Sequence, residues 1–128
     1  MAKRVVVTGM GVISPIGNDV PTFWNNLVNG VCGIDYIQEF PTENLPVRIA
    51  GKVKDFHPEN YGMDKGFSRK QDLFTQYGVA AAYEAMNQAG LIAEGEGQNI
   101  DPFRLGVYVG SGIGGFEIQY RETAKMIE

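Results

Sequence analysis

A glycine-rich loop carries a spacing that is typical of ligand-binding turns. Gly110, Gly112 and Gly115 form the pattern G-x-G-x-x-G, after the apolar run 105–109 and before a helix-like run. In dinucleotide-binding proteins such a turn brings backbone N–H groups close to a pyrophosphate at a helix N-terminus. That site also needs an acidic residue about 20 positions later for the ribose, and the sequence reaches Glu128 first. Two interpretations stay open: a dinucleotide site, or glycines that allow close backbone packing at a sheet edge.

A similar arrangement stands near the start of the sequence. The β-branched run 5–8 leads into Gly9 and Gly11, but Ser14 occupies the place of the third glycine and Pro15 follows it. This loop therefore matches the dinucleotide pattern less well. Both loops follow apolar runs, so both could lie at the same functional edge of a sheet.

Nucleophilic and metal chemistry have few candidate residues here. Cys32 is the single cysteine and His57 the single histidine. The neighbours of Cys32 are apolar and include no base that would activate a thiol, so we expect a small buried hydrophobe or a loop residue rather than a reactive thiol. We expect no metal site, no cofactor and no Cys–His catalytic pair within the chain.

Three basic residues gather around position 68. Lys65, Arg69 and Lys70 surround the predicted start of a long helix, where the helix dipole disfavours cations. They are either a solvated helix start or a docking patch for an acidic partner, since such a patch steers encounter.

Composition narrows the class of protein. The 128 residues are 44% hydrophobic and 20% charged, which is typical of an ordinary globular chain with one modest domain. A net charge of −4 without a basic stripe argues against nucleic-acid binding. No apolar run is long enough to span a bilayer or to act as a secretory signal, and one cysteine allows no intrachain disulfide. We therefore expect a cytoplasmic protein without a membrane partner.

The apolar periodicity predicts strands that alternate with helices. This alternation indicates an α/β layer fold with parallel pairing. Only two or three strands are predicted, so the chain looks like the opening part of a larger domain, with no internal boundary. The predicted strands cover 5–8, 47–53 and 105–109, and the helices run from about Asp19 to Gly30, over 69–89 and over 116–128.

Local signals mark the ends of the predicted helices. Asp19 and Pro21 favour the start of the first helix and Gly30 its end, while Ser68 with Gln71 offers a capping box for the long one. One apolar face of the long helix is expected to be buried: Phe74, Tyr77, Gly78, Ala81, Ala82, Ala85, Met86 and Ala89.

Taken together, several stretches resemble a known family. They are VVVTGMGVISPIGN, the helix with Phe23 and Trp24, AGKVKDF, SRKQDLFTQYG and VGSGIGG. In this order they resemble the N-terminal part of the β-ketoacyl-[acyl carrier protein] synthases, and most of all the bacterial elongating type, synthase II. The likeness covers essentially the whole chain.

The resemblance implies a thiolase-like fold, of which this chain would be an incomplete N-terminal portion with α-β-α layers. It implies homodimers and the elongation of fatty acyl chains by decarboxylative condensation with malonyl-acyl carrier protein. In the family a Cys attacks the acyl thioester, and two His stabilise the oxyanion that forms as malonyl loses carbon dioxide. These three residues lie further along than Glu128, so no catalytic residue is expected in this chain.

Two features carry over residue by residue. Ile113 matches a family position that lines the acyl-chain pocket, where apolar bulk limits the depth that the acyl tail reaches. Lys65, Arg69 and Lys70 match a basic patch that engages the acidic carrier protein.

Two alternatives remain beside this interpretation. One is a Rossmann-type oxidoreductase domain that uses the loop 110–115. The other is a ketosynthase-like partner subunit that keeps the fold but lacks the nucleophile.

Overall fold

The structure is a computed structural model that describes residues 3–92 and 101–127. Helices and a small sheet follow one another along these ranges. The elements are α1 (Val20–Val28), β1 (Ile34–Tyr36), β2 (Ile49–Gly51), a 3₁₀ turn (Pro58–Tyr61), α2 (Lys65–Lys70), α3 (Leu73–Gln88), a second 3₁₀ turn (Pro102–Arg104) and α4 (Phe116–Ile127).

The first helix forms where the sequence predicts it. Asp19 caps α1, because its Oδ1 accepts the backbone N–H of Thr22 at 2.7 Å, and Pro21 lies in the first turn. Gly30 adopts φ +70° just beyond the helix, and the N–H of Val31 closes the turn on the carbonyl of Asn26 at 2.9 Å. The predicted bounds and caps of this helix are confirmed.

The sheet of the described residues is a single antiparallel pair. β1 and β2 pair with Ile34 opposite Gly51 and Tyr36 opposite Ile49. The strand predicted over 47–53 is thus confirmed at its centre, but the predicted parallel pairing is not found within these ranges. β1 was missed because three residues are too few to show an alternation.

The two apolar runs predicted as buried strands form no strand here. Val5 is 93% exposed and Val109 is 80% exposed, and neither run has a strand partner among residues 3–92 and 101–127. A β-strand exists only where a neighbour accepts and donates its backbone hydrogen bonds, so the predicted strands over 5–8 and 105–109 do not appear in this part of the molecule.

The predicted long helix is two helices. Gln71 has ψ 141°, which ends α2, and Asp72 caps α3 by accepting the N–H of Leu73 through Oδ1 at 2.8 Å. The predicted capping box is therefore wrong: Ser68 lies inside α2, where its Oγ donates to the carbonyl of Asp64 at 2.9 Å. The predicted stop at Gly90, with φ +70°, is confirmed.

α3 packs against the start of the chain through small residues. A Cβ added at Gly9 would overlap the carbonyl oxygen of Ala85, and one added at Gly11 would overlap that of Ala81. These contacts bring the early glycine loop directly onto the helix backbone. The close packing expected of such glycines is therefore found against a helix.

The buried face of α3 differs from the predicted one. Gln76 is 7% exposed and Ala80 is fully buried, whereas Phe74 and Met86 lie on an exposed side. A helix with apolar residues on more than one side is typical of the interior of a larger protein.

Much apolar surface remains uncovered in this structure. The accessible area is 10830 Å², against about 6,700 Å² for a compact monomer of this length. None of the helices in the described ranges is long and apolar enough to cross a membrane.

Candidate functional site

The three predicted docking cations lie together on α2. Lys65 is its first residue, and Arg69 and Lys70 form its last turn. All three are exposed, and no ion pair joins them to a carboxylate of residues 3–92 or 101–127. We call α2 with these three side chains the basic helix.

Two of these cations lie at the opposite helix end from the one predicted. Arg69 and Lys70 were expected at a helix N-terminus, but α2 ends at Lys70 and α3 begins after Asp72. The last turn of a helix favours cations. The placement of Arg69 and Lys70 therefore costs nothing and, taken alone, says nothing about a partner.

A buried glutamine fixes the angle between the two helices. Gln76 Nε2 donates to the carbonyls of Ser68 and Gln71, both at 2.9 Å. These carbonyls belong to the end of α2, where the helix itself supplies no donor. Gln76 thereby holds the basic helix in one orientation against α3. Sequence reasoning missed it, because a single glutamine inside a helix carries no signal of burial.

The loop 110–115, which we call the glycine loop, touches α3 at one end. A Cβ added at Gly114 would lie 2.6 to 2.8 Å from three ring atoms of Phe74. Gly115 adopts φ +79°, a conformation that favours glycine, immediately before α4. Ile113 is 77% exposed. At Gly114 and Gly115, packing and backbone conformation therefore explain the glycines without a nucleotide.

The first turn of α3 stands between the glycine loop and the basic helix. Asp72 joins α3 to α2, and two residues later Phe74 contacts the loop. A cleft of about 280 Å³ lies between the junction of α2 and α3, which contributes Arg69 and Gln76, and α4, which contributes Glu117 and Arg121. The structure thus places the predicted docking residues and the loop of Ile113 around one helix start.

The other candidate residues, Cys32 and His57, do not line this cleft. Cys32 is an exposed loop residue, the second of the two possibilities expected for it, and its Sγ lies 3.7 Å from the carbonyl of Ile34. His57 Nδ1 faces Glu59 Oε1 at 3.6 Å. Within the described ranges no group of three His, Cys, Asp or Glu side chains could hold a metal ion.

Two exposed carboxyl groups have shifted pKa values because of lysine partners. A hydrogen bond from Lys125 Nζ, at 2.9 Å, lowers the pKa of Glu122 on α4. A hydrogen bond from Lys52 lowers the pKa of Glu39, which follows β1 in the sequence. Both pairs lie on the surface, so they stabilise the fold little.

Two tyrosines, one before α3 and one within it, have raised pKa values. Burial is the main cause for Tyr61 and for Tyr77, and the charge of Glu84 adds to the shift at Tyr61. The Tyr61 hydroxyl donates to the carbonyl of Asn18 at 2.7 Å. Both rings contact Phe56, with centroids 5.7 and 4.8 Å away. This aromatic cluster ties the segment after β2 to the long helix.

Comparison with known proteins adds independent findings. The model of the family described as "Beta-ketoacyl synthase, N-terminal domain" matches residues 2–128. A Staphylococcus aureus (strain COL) protein named 3-oxoacyl-[acyl-carrier-protein] synthase 2 is 48% identical over 124 residues. A Vibrio cholerae protein of the same name is 48% identical over 116 residues. The matches cover 94% and 91% of this chain but 28% and 27% of the relatives, so the chain spans little more than a quarter of their length.

A solved structure is also similar. It is titled "The ishigamide ketosynthase/chain length factor" and shares 37% sequence identity with this chain at a TM-score of 0.60. The alignment covers 68% of this chain and 21% of that one.

Proposed function

Because the chain belongs to the β-ketoacyl synthase family, with its thiolase-like fold, we propose that its full-length protein elongates fatty acyl chains. The reaction is a decarboxylative condensation. A cysteine thiolate displaces the carrier thiol from an acyl thioester; malonyl-acyl carrier protein then loses carbon dioxide, and its carbanion displaces the cysteine to form the 3-oxoacyl product. The observation that carries this proposal is the 48% identity, over 94% of the chain, to a protein named 3-oxoacyl-[acyl-carrier-protein] synthase 2.

We propose that residues 1–128, as one segment without an internal boundary, supply binding surfaces to this reaction. The nucleophilic cysteine and the two histidines belong to the rest of the full-length protein. The segment alone is then inactive, and the active form is a cytoplasmic homodimer that needs no cofactor. Within this family, packing explains the glycine loop better than a dinucleotide does, because Phe74 fills the space beside Gly114.

The basic helix is the proposed docking surface for the acyl carrier protein, which is acidic. Charge supports this proposal. The helix carries three exposed cations that have no carboxylate partner in the described ranges, although the chain has a net charge of −4. Complementary charge raises the association rate and is screened by salt. Lys65 at one end of α2 and Arg69 and Lys70 at the other would contact separate parts of the partner.

Charge reversal tests the docking surface. Arg69→Glu and Lys70→Glu in the full-length protein should each lower kcat/KM for acyl-carrier substrates about tenfold at low salt, and leave acyl-CoA substrates nearly unchanged. Lys3→Glu, an exposed cation outside α2, is the control for net charge. Equal losses on both substrate types, or an equal effect of Lys3→Glu, would refute docking at α2.

The side chain of Ile113 is proposed to limit how deep an acyl tail reaches into its pocket. Its exposure in the described structure leaves the side chain free to meet an acyl tail or the remainder of the protein. Ile113→Phe should reject long acyl chains about tenfold more than short ones, because the larger ring fills the pocket. A uniform loss over all chain lengths would show that Ile113 acts through folding.

A second candidate is a partner subunit without the nucleophile. It is favoured by the similar solved structure, whose title pairs a ketosynthase with a chain length factor. Mass spectrometry of the full-length protein after incubation with an acyl thioester separates the two. An acyl adduct that forms on the full-length protein and persists in its Cys32→Ser variant supports the enzyme. If the full-length protein forms no adduct, the partner subunit is supported.

A further inference from the structure

The contact between Phe74 and Gly114 has a geometry that only glycine permits. Three ring atoms would lie 2.6, 2.6 and 2.8 Å from an added Cβ, distances that carbon atoms do not tolerate. The ring of Phe74 therefore rests directly on the backbone that follows Ile113.

In the described structure the glycine loop packs against α3 at this end but not at Gly110 or Gly112. Besides the Phe74 contact, a Cβ at Gly115 would lie 3.9 Å from Asp72 Oδ2 and from the same ring. Gly110 and Gly112 have no neighbour within 4 Å of an added Cβ in the described structure. The position of Ile113 thus depends on the anchor that immediately follows it.

The anchor is itself rigid. Phe74 lies in the first turn of α3, whose Asp72 carbonyl accepts the N–H groups of Thr75 and Gln76, both at 3.1 Å. The side chain is 45% exposed in the described structure, so the loop covers only part of the ring. Two residues of the glycine loop, Gly114 and Gly115, lie against this ring.

We propose that Phe74 is a positioning residue for acyl-chain length, which acts by fixing Gly114 and so the depth to which Ile113 reaches. The inference rests on the proposed function, in which Ile113 limits the acyl pocket. Loss of the ring lets the backbone at Gly114 move into the vacated space, and Ile113 retreats with it. The pocket then accepts longer tails without any change at the residue that lines it.

The experiment compares kcat/KM for short, medium and long saturated acyl substrates in the full-length protein. Phe74→Ala should raise the ratio of long to short chains about tenfold, a change typical of pocket volume. Phe74→Leu, which keeps apolar bulk, should restore most of the original ratio. Leu73→Ala is the matched control, because Leu73 has the same 45% exposure but supplies none of the three atoms nearest to an added Gly114 Cβ.

A double-mutant cycle tests the contact itself. Gly114→Ala should displace the loop and change the ratio, and Phe74→Ala in that background should relieve the overlap, so that the two effects are not additive. Additive effects would overturn the proposal. It would also be overturned if Phe74→Ala left the ratio of long to short chains unchanged, or if Leu73→Ala changed that ratio equally.

Ile113→Phe separates this inference from the proposed function. If Ile113→Phe changes the ratio and Phe74→Ala does not, only the role of Phe74 is refuted. If Ile113→Phe also leaves the ratio unchanged, the acyl-pocket role of Ile113 fails and the inference falls with it. A melting-temperature measurement on each variant identifies those that act through unfolding.

Discussion

Glu84 on α3 accepts the backbone N–H of Val20, the first residue of α1, through Oε1 at 2.7 Å. Its second oxygen, Oε2, accepts the N–H of Val12 at 2.9 Å. One turn further along, Gln88 Oε1 accepts the N–H of Met10 at 2.6 Å. The polar side chains of α3 thus satisfy the backbone donors of a segment more than 60 residues earlier in the chain.

Glu84→Gln should destabilise the full-length protein by about 1–3 kcal/mol, because an amide has one acceptor oxygen where two N–H donors need one each. Loss of the negative charge at the N-terminus of α1 adds to this cost. Urea unfolding with an unchanged m-value measures it. Glu43→Gln, an exposed change elsewhere, should cost almost nothing, and an equal loss there would show that net charge rather than the two bonds is responsible.

The parts of the fold that local signals determine could be predicted from sequence. Asp19, Pro21 and Gly30 fix α1 within a few residues, since a cap, a first-turn proline and a left-handed glycine act on their immediate neighbours. Gly90 fixes the end of α3 for the same reason. Asp72 shows the limit: the helical pattern continues across Gln71, so the break between α2 and α3 was not visible in the periodicity.

The remainder depends on contacts that are distant in sequence. The apolar runs 5–8 and 105–109 have strand-forming composition, but a strand needs a neighbour that the described ranges do not contain. Gln76 and Glu84 read as ordinary polar helix residues, and only the fold reveals that backbone groups elsewhere require them. For the site, the basic residues stood out in the sequence as a charge cluster, the role of Ile113 was implied by a resemblance, and only the structure revealed Phe74 as an anchor.

Alanine at either of the early glycines should disturb the packing of α3 on the N-terminal segment. Gly9→Ala and Gly11→Ala each place a methyl group onto a helix carbonyl, that of Ala85 or Ala81, and backbone cannot move as a side chain can. We expect each to cost about 1–3 kcal/mol of unfolding free energy or more. Gly106→Ala, which meets nothing within 4 Å in the described structure, is the control; a similar cost there would mean that the loss is not steric.

Gln76→Leu should loosen the basic helix without removing any charge. The substitution leaves the carbonyls of Ser68 and Gln71 without their donor in a buried place, at a cost of about 1–3 kcal/mol. In the full-length protein we expect a higher KM for carrier-linked substrates and little change in the KM for acyl-CoA substrates. Surface plasmon resonance with acyl carrier protein measures docking directly, and unchanged binding in a folded variant would contradict a positioning role for Gln76.

Alkaline pH should destabilise the aromatic cluster around α3. Burial raises the pKa of Tyr61 and of Tyr77 above the usual value of 10.0, so the folded state favours the neutral phenols. Their contribution to stability is complete below pH 10.0 and is lost as the pH rises above it, because the unfolded chain ionises first.

Tyr77→Phe should therefore flatten the fall in unfolding free energy above pH 10.0 while changing stability little at neutral pH. Tyr61→Phe should flatten it as well but also lower stability at neutral pH, since it removes the hydrogen bond to the Asn18 carbonyl. Urea unfolding at several pH values, with tyrosinate absorbance recorded in parallel, measures both effects. Tyr108→Phe, at a fully exposed ring, should follow the wild-type curve, and parallel curves for all three variants would refute the role of burial.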